Sequence, residues 1–444
     1  MLFLDFKIRK IIARQVLDSR GNPTVEAGIK TNDCCVKSIV PSGASTGIHE
    51  ALELRDNNKR FYDGKSVLKA VNNINRIISK KLIGKDCRKQ KEIDNFLIGL
   101  DGTENKSKLG ANAILAVSMA VCRAGAEASG LRLYEHIQKL SNSKTHENQR
   151  FSGPRKSEGF SRELLLPIPQ MNLLDGGAHV GAENDIQEYM LLPTGFKMFS
   201  DSLRAGTEIY HTIKKMIIKK YTYKAASVTA EGGFIAPMGG VEERLEFLMT
   251  AIKESGYGNK IKLGIDSAAS EFYDEEKDEY QILNKKFNRG ELIDFYKNLT
   301  KKFPIVSIED GFAQDDWEGW KLFNKELGSK IQIVGDDLLV TNIMRIRKAL
   351  EEKSCNSLLL KVNQIGTVTE SIDAAKLSFK NKWNVVVSHR SGETEDTFIA
   401  DLAVGIGANQ SKFGAPARSE RVAKYNQLLR IEEKLGKKAK FAKL

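Results

Sequence analysis

Cysteine is scarce and follows no pattern. The five residues Cys34, Cys35, Cys87, Cys122 and Cys355 are odd in number, scattered and without metal-ligand spacing. That argues against a disulfide framework or a zinc site and fits free thiols in a reducing compartment. No apolar run approaches the roughly 20 residues a membrane helix needs, and Met1 to Asp5 is too short and too soon interrupted for a signal peptide. A cytoplasmic protein with no membrane partner is expected. Aromatic residues do not interleave with basic ones. The net charge of +12 comes from dispersed pairs such as Lys214-Lys215, Lys285-Lys286 and Lys437-Lys438, which read as a solvated face rather than a nucleic-acid stripe. The excess charge still suits steering of an anionic substrate.

What is present is a rhythm in the C-terminal half. Short apolar runs at Ile261–Ile265, Pro304–Ile308, Ile331–Gly335, Leu358–Leu360 and Val385–Ser388 are followed at once by Asp266, Glu309, Asp336, Lys361 and His389. The steps between those five residues, 43, 27, 25 and 28, leave room for a crossover helix between buried parallel strands each time. That is the spacing of a (β/α) barrel, whose C-terminal strand ends meet at one mouth. One charged residue at a strand end usually marks the exit into solvent; five in register point to a shared cavity. Three acids there need a cation, and an all-oxygen ligand set favours Mg²⁺ over zinc. Lys361 beside such a metal would have its pKa lowered towards that of a base, or would form a salt bridge to one of the acids.

Length and composition, 444 residues with 41% hydrophobic and 28% charged, suit a globular enzyme of two parts. Residues 1–140 read as an α+β domain, with paired strands at Val25–Ile29 and Cys35–Val40 and a helix of small residues from Ala111 to Ala128 that ends at Gly130. Residues 141–163 are polar, with five Lys or Arg against three acids, and a disordered insert is expected. Residues 164–444, opening with Leu164-Leu165-Leu166-Pro167, make the barrel domain.

Several stretches resemble the enolases. They are Asp18–Glu26 (Asp-Ser-Arg-Gly-Asn-Pro-Thr-Val-Glu), Val40–Gly47 (Val-Pro-Ser-Gly-Ala-Ser-Thr-Gly), Asn105–Ala113, Leu358–Gly366 (Leu-Leu-Leu-Lys-Val-Asn-Gln-Ile-Gly) and Ser388–Asp396 (Ser-His-Arg-Ser-Gly-Glu-Thr-Glu-Asp). Runs of this length from one end of the chain to the other are a specific signal. The resemblance implies an α/β fold, with a C-terminal (β/α)8-type barrel and an N-terminal α+β domain. It also implies reversible, Mg²⁺-dependent dehydration of 2-phosphoglycerate to phosphoenolpyruvate in glycolysis, with two Mg²⁺ per active site. Enolase-superfamily sites pair a base such as lysine with Mg²⁺, and the resemblance implies the same chemistry for this chain.

Residue by residue, the resemblance makes Asp266, Glu309 and Asp336 the metal ligands and Ser45 a ligand of the second metal on a mobile loop. Lys361 is the base that takes the α-proton, Lys412 a fixed positive charge, Glu231 the acid for the departing hydroxyl and Glu188 its carboxylate partner. Arg390 and Ser391 form the phosphate clamp, and His179 and His389 lie on the substrate side. From the residues alone, Ser45 and Glu231 are equally turn residues among glycines, and His179 a surface-loop histidine. A homodimer is implied through Glu26 of one subunit facing Arg430 of the other.

The chain departs from the family pattern where Gly-Asp-Glu-Gly-Gly-Phe-Ala-Pro-Asn is usual. It reads Thr229-Ala230-Glu231-Gly232-Gly233-Phe234-Ile235-Ala236-Pro237, so an aspartate beside Glu231 is lost and Ile235 is added. Gly311 stands for a proline, and Asp175 for an asparagine. Misplacement of the acid by about an ångström costs about a hundredfold, so a slow enzyme is expected, with Ala230→Asp raising its rate. A specialised paralogue serving a binding or structural role is the alternative.

Overall fold

Alternating burial at the start of the chain builds a small antiparallel sheet. In the computed structural model, which describes residues 6–43, 47–143, 161–182 and 184–444, β1 (Lys10–Leu17), β2 (Pro23–Lys30) and β3 (Cys35–Ile39) pair in that order. The central strand β2 is buried almost throughout because the helix Ala111–Ala128 packs against the sheet. That helix is apolar nearly all round, as a core helix must be, and its small residues let it lie close. Gly130, with φ 63°, follows its end. The two expected strands and this helix are all present; β1 was not anticipated.

The rest of the chain closes a barrel. Its strands are β4 (Ile168–Asp175), β5 (Glu188–Leu192), β6 (Lys262–Asp266), β10 (Ile305–Glu309), β11 (Gln332–Gly335), β12 (Ser357–Leu360), β13 (Asn384–Ser388) and β14 (Gln410–Lys412), ordered β10-β11-β12-β13-β14-β4-β5-β6 around the ring. A separate three-stranded sheet, β7 (Tyr273–Asp274), β8 (Glu279–Ile282) and β9 (Lys285–Phe287), branches off after β6. The barrel and its N-terminal companion agree with the expected fold.

One strand breaks the expected rhythm. No crossover helix separates β4 from β5, so β5 runs antiparallel to both β4 and β6. Its first residue, Glu188, therefore pairs with Asp175 and Asp266, the last residues of β4 and β6. A strand start is thereby delivered to the same mouth as the strand ends.

The N-terminal sheet docks on that mouth. Arg123 Nη2 meets Asp396 Oδ1 at 2.7 Å, Lys106 Nζ meets Glu370 Oε1 at 3.0 Å, and Ser42 bridges to Gly392. A Cβ on Gly392 would lie 2.4 Å from both Arg20 Nη2 and Asp18 Oδ2, so only glycine admits this contact. The helix Leu133–Asn142 includes Ser141 and Asn142, placing the first two residues of the expected insert in a regular element. The backbone of Arg162 donates to Asn142 Oδ1 at 3.0 Å, so the chain returns beside the point where it left. Residues 144–160 of the stretch 141–163 expected to be disordered lie outside the described residues. Among the described residues, no single helix is long and apolar enough to cross a membrane.

Candidate active site

The five strand-end residues do share one mouth. Asp266 and Glu309 close β6 and β10, Asp336, Lys361 and His389 follow β11, β12 and β13, and Lys412 ends β14. One cavity is lined by His179, Glu188, Glu231, Asp266, Asp336, Lys361, His389, Arg390, Ser391 and Lys412. Glu309 lies behind it, bonded to Lys412. Ser45 lies outside the described residues.

Half of this mouth is built on lysines. Lys412 Nζ donates to Glu309 Oε1 at 2.8 Å and Asp266 Oδ2 at 2.9 Å, and Glu188 Oε2 lies 3.2 Å away. Burial alone would lower its pKa, but Asp266, Glu188 and Glu309 hold it well above the usual value. Lys361 Nζ donates to Asp336 Oδ2, and Asp336 Oδ1 accepts from Gln364 Nε2 at 2.8 Å. Against burial, Asp336 and Glu309 raise the Lys361 pKa, so the salt-bridge reading describes its resting contact.

Four carboxyl groups, Asp266, Glu309, Asp336 and Glu188, thus face two ammonium groups. Burial and the neighbouring Asp266 push the Glu309 pKa well up, and its buried Oε2 has no hydrogen-bond partner. Excess buried oxygen donors of this kind fit a hard divalent cation. Asp310, Asp336 and Asp337 also bring one oxygen each within 4.8 Å of one another.

The other half is built on Glu231. Its Oε1 accepts from Ser391 Oγ at 2.9 Å and lies 3.8 Å from His179 Nε2, while its Oε2 faces His389 Nε2 at 3.1 Å. His179 Nδ1 lies 3.1 Å from Asp175 Oδ1 and 3.8 Å from Glu188 Oε1. Burial opposes a charge on His179, but Glu231, Asp175 and Glu188 lift its pKa to about 10. His389 is the reverse: burial takes it down to about 3, with Arg421 assisting and Glu231 opposing. Glu231 is held well below the usual carboxylate range despite burial, because His389 and His179 favour its anion. Glu188 goes the other way, raised by burial and by Glu231 and Asp266 against the pull of Lys412. Although His179, Glu188 and Glu231 have donor atoms within 4.8 Å, a protonated imidazole cannot ligate, and this trio suits proton transfer instead.

Two residues at this site escaped the reading of the sequence, and a third, Asp175, is visible there only as a departure from the family pattern. Glu50 occupies the fork of Arg390, with Nη1 to Oε2 at 2.9 Å and Nη2 to Oε1 at 3.0 Å. Arg421, fully buried, donates to His389 Nδ1 at 2.6 Å. Asp175 accepts from Thr229 Oγ1 at 2.6 Å and Asn172 Nδ2 at 2.8 Å besides meeting His179. No pattern of spacing marks any of them.

Comparison with known proteins then decides the kinship. Residues 8–137 match the family model "Enolase, N-terminal domain" and residues 163–444 match "Enolase, C-terminal TIM barrel domain". The enolase of Thermococcus gammatolerans is 53% identical over 432 residues, covering 97% of this chain and 95% of the relative. That of Thermococcus kodakarensis is 52% identical over the same spans. The chain belongs to the enolase family. Its carboxylate-rich half fits the metal cofactor that the family implies.

The departures from the family pattern have local accommodations. The carboxylate missing at Ala230 is matched by one at Asp175, whose bond to Thr229 reaches the residue two before Glu231; Glu231 N in turn donates to Thr229 Oγ1 at 3.2 Å. A Cβ on Gly233 would lie 2.2 Å from Asp175 Oδ2, so the glycine admits this carboxylate. The added Ile235 follows Phe234, which bonds with β4 on both sides, Phe234 N to Leu173 O at 2.9 Å and Asp175 N to Phe234 O at 3.1 Å. Ile235 is exposed, so the extra residue lies on the far side of that anchor. At Gly311 a Cβ would lie 2.7 Å from the Phe323 ring; the ring occupies the space a proline would need.

Proposed function

We propose that this chain is a working phosphopyruvate hydratase that interconverts 2-phosphoglycerate and phosphoenolpyruvate in glycolysis. The observation that carries this reading is one cavity with Lys361 against a metal-type carboxylate set on one side and Glu231 between two histidines on the other. Full-length identity of 53% with a curated enolase supports it. No observation favours the specialised paralogue.

In this reading Asp266, Glu309 and Asp336, with Ser45 for a second ion, would hold two Mg²⁺. When bound, the metal would supply positive charge for the substrate carboxylate and against the anionic field that keeps Lys361 protonated. Lys361 then takes the α-proton. Lys412 stabilises the negative charge that develops on the substrate carboxylate. The proton for the departing hydroxyl is delivered by Glu231 and replenished from His179 and Glu188, whose raised pKa values make them its resting holders. Arg390 and Ser391 receive the phosphate, with the guanidinium exchanging Glu50 for phosphate oxygens, and His389 bounds the substrate side.

We also propose a cytoplasmic homodimer with a small-molecule ligand and no specific nucleic-acid or membrane partner. Glu26 already pairs with Lys37 Nζ at 2.9 Å and Arg14 Nη1 at 3.4 Å, and Arg430 is exposed on the helix Ser419–Leu435. A contact from Arg430 to Glu26 would therefore join an existing cluster. A monomeric mass in light scattering at micromolar concentration rules the dimer out.

The function is tested by coupled turnover of 2-phosphoglycerate. With these departures accommodated, a rate within about tenfold of the Thermococcus enzymes is expected, or about 1.4 kcal/mol in barrier. No turnover at saturating Mg²⁺, or turnover that survives excess chelator, overturns the reading.

A further inference from the structure

Arg421 lies in the first turn of the helix Ser419–Leu435 and is completely buried. Its guanidinium is spent on four acceptors from two loops. Nη1 donates to His389 Nδ1 and to the Arg390 carbonyl, both at 2.6 Å; Nη2 donates to the Ser391 carbonyl at 2.6 Å and the Ala230 carbonyl at 3.1 Å. Its nearest carboxylate is Glu420, 3.8 Å from Nε. Gly414 makes room for this packing, since a Cβ there would lie 2.9 Å from Arg421 Cδ and 3.0 Å from His389 Cε1.

The tautomer of His389 follows from this contact. A guanidinium has donors only, so the nitrogen it meets must present a lone pair. Nδ1 is therefore bare and the ring proton sits on Nε2, which faces Glu231 Oε2 at 3.1 Å. The same guanidinium holds the carbonyl preceding Glu231 and the carbonyls of Arg390 and Ser391. Acid, imidazole and clamp are thereby keyed to one planar group.

We propose that Arg421 is a positioning residue for the reaction, fixing His389 as its Nε2–H form and registering the Glu231 loop against the Arg390-Ser391 loop. This rests on the reading of Glu231 as the acid. A lysine cannot replace it, because a single ammonium lacks the flat fork that reaches four acceptors in two directions. The charged groups facing His389 are Glu231 from its loop, Arg421 from the helix and Lys412 from β14, with His179 beyond Glu231. Arg421 and Lys412 oppose a proton on Nδ1, and Glu231 favours one.

The test is ¹⁵N NMR of protein labelled in its histidine rings, with His389 assigned through His389→Asn, beside kcat and KM between about pH 5.5 and about pH 9. In the parent, His389 should show a bare Nδ1 and a protonated Nε2 throughout. In Arg421→Met it should mix tautomers and titrate near the ordinary histidine value. There kcat should fall about a hundredfold, with a new loss of activity as pH drops through that titration and a smaller change in KM. Arg421→Lys should lie between the two, and it carries the test alone if Arg421→Met does not fold. The proposal is overturned if the folded variants keep a single, non-titrating Nε2–H form, or if kcat falls with no new acid limb. Glu231→Gln should leave the His389 tautomer unchanged and stop product formation. Turnover surviving in Glu231→Gln would reject the acid assignment while leaving the tautomer result to judge Arg421.

Discussion

On one side of the mouth Lys412 and Lys361 stand among Asp266, Glu309, Asp336 and Glu188; on the other, Glu231 and Asp175 stand among Arg421, a protonated His179 and a neutral His389. The first side sets four carboxyl groups against two ammonium groups, and it shows this in the raised pKa values of Glu309 and Glu188 and in the unpartnered Oε2 of Glu309. The second is balanced within the protein. Buried charges of similar kind thus serve two ends: an imbalance recruits a cation from outside, while a balance stores a proton in a defined place.

Separating the two sides should give the largest effect. Lys361→Ala is expected to abolish both turnover and exchange of the substrate α-proton with solvent, a loss of about ten-thousandfold. Glu231→Gln should keep the exchange and lose product formation. Exchange that persists in Lys361→Ala, followed by deuterium incorporation, would erase the division of labour.

A smaller effect concerns the charge deficit. Mg²⁺ at about a hundredfold excess over its Kd should stabilise the chelator-treated protein by about 2.7 kcal/mol, read as a rise in Tm. Glu309→Gln should lose most of that rise and Glu231→Gln should retain it. Equal rises in both variants would mean that the cation is not held where the deficit lies.

The two histidines should next show opposite linkage to pH. His179, at about 10 when folded against an ordinary 6.5 or so, contributes stability that is full below about pH 6.5 and is lost as pH rises through about 10. His389, at about 3 when folded, refuses a proton that the unfolded chain accepts, so stability grows as pH rises from about 3 to about 6.5. Urea unfolding of His179→Gln and His389→Asn across pH should remove slopes of opposite sign, each about 1.4 kcal/mol per pH unit at its steepest. Slopes of the same sign would refute the contrast between their outer partners.

The smallest effect reverses an expectation drawn from the sequence. Asp175 already supplies a buried carboxylate to Thr229 and His179, so Ala230→Asp should add an uncompensated charge and lower kcat about tenfold. Asp175→Asn in the same chain should recover the loss. An increase in kcat from Ala230→Asp alone would show instead that Glu231 is poorly supported.

What could be read beforehand follows from how each residue acts. Asp266, Glu309, Asp336, Lys361 and His389 were legible because a period of strands and helices repeats and each ends on a charged group. Glu188 carried no such mark: its strand runs the other way, so it begins a run where the others finish one. It was named through the family resemblance alone. Glu50, Arg421 and Asp175 act by contacts across 340, 32 and 54 residues of sequence, and only folding brings those partners together. The accommodation at Gly311 was hidden likewise, since its reason is the Phe323 ring.

In the phosphate-clamp role proposed for it, Arg390 with its filled fork is a comparator rather than an empty socket. With Glu50 held at 2.9 and 3.0 Å, an arriving group is weighed against a carboxylate already in place. A neutral hydroxyl cannot replace the charge it would displace, a monoanion only matches it, and a phosphate dianion exceeds it by one. In that role, discrimination between phosphorylated and unphosphorylated acids would be set by a side chain of the protein itself, before any bond of the ligand is broken.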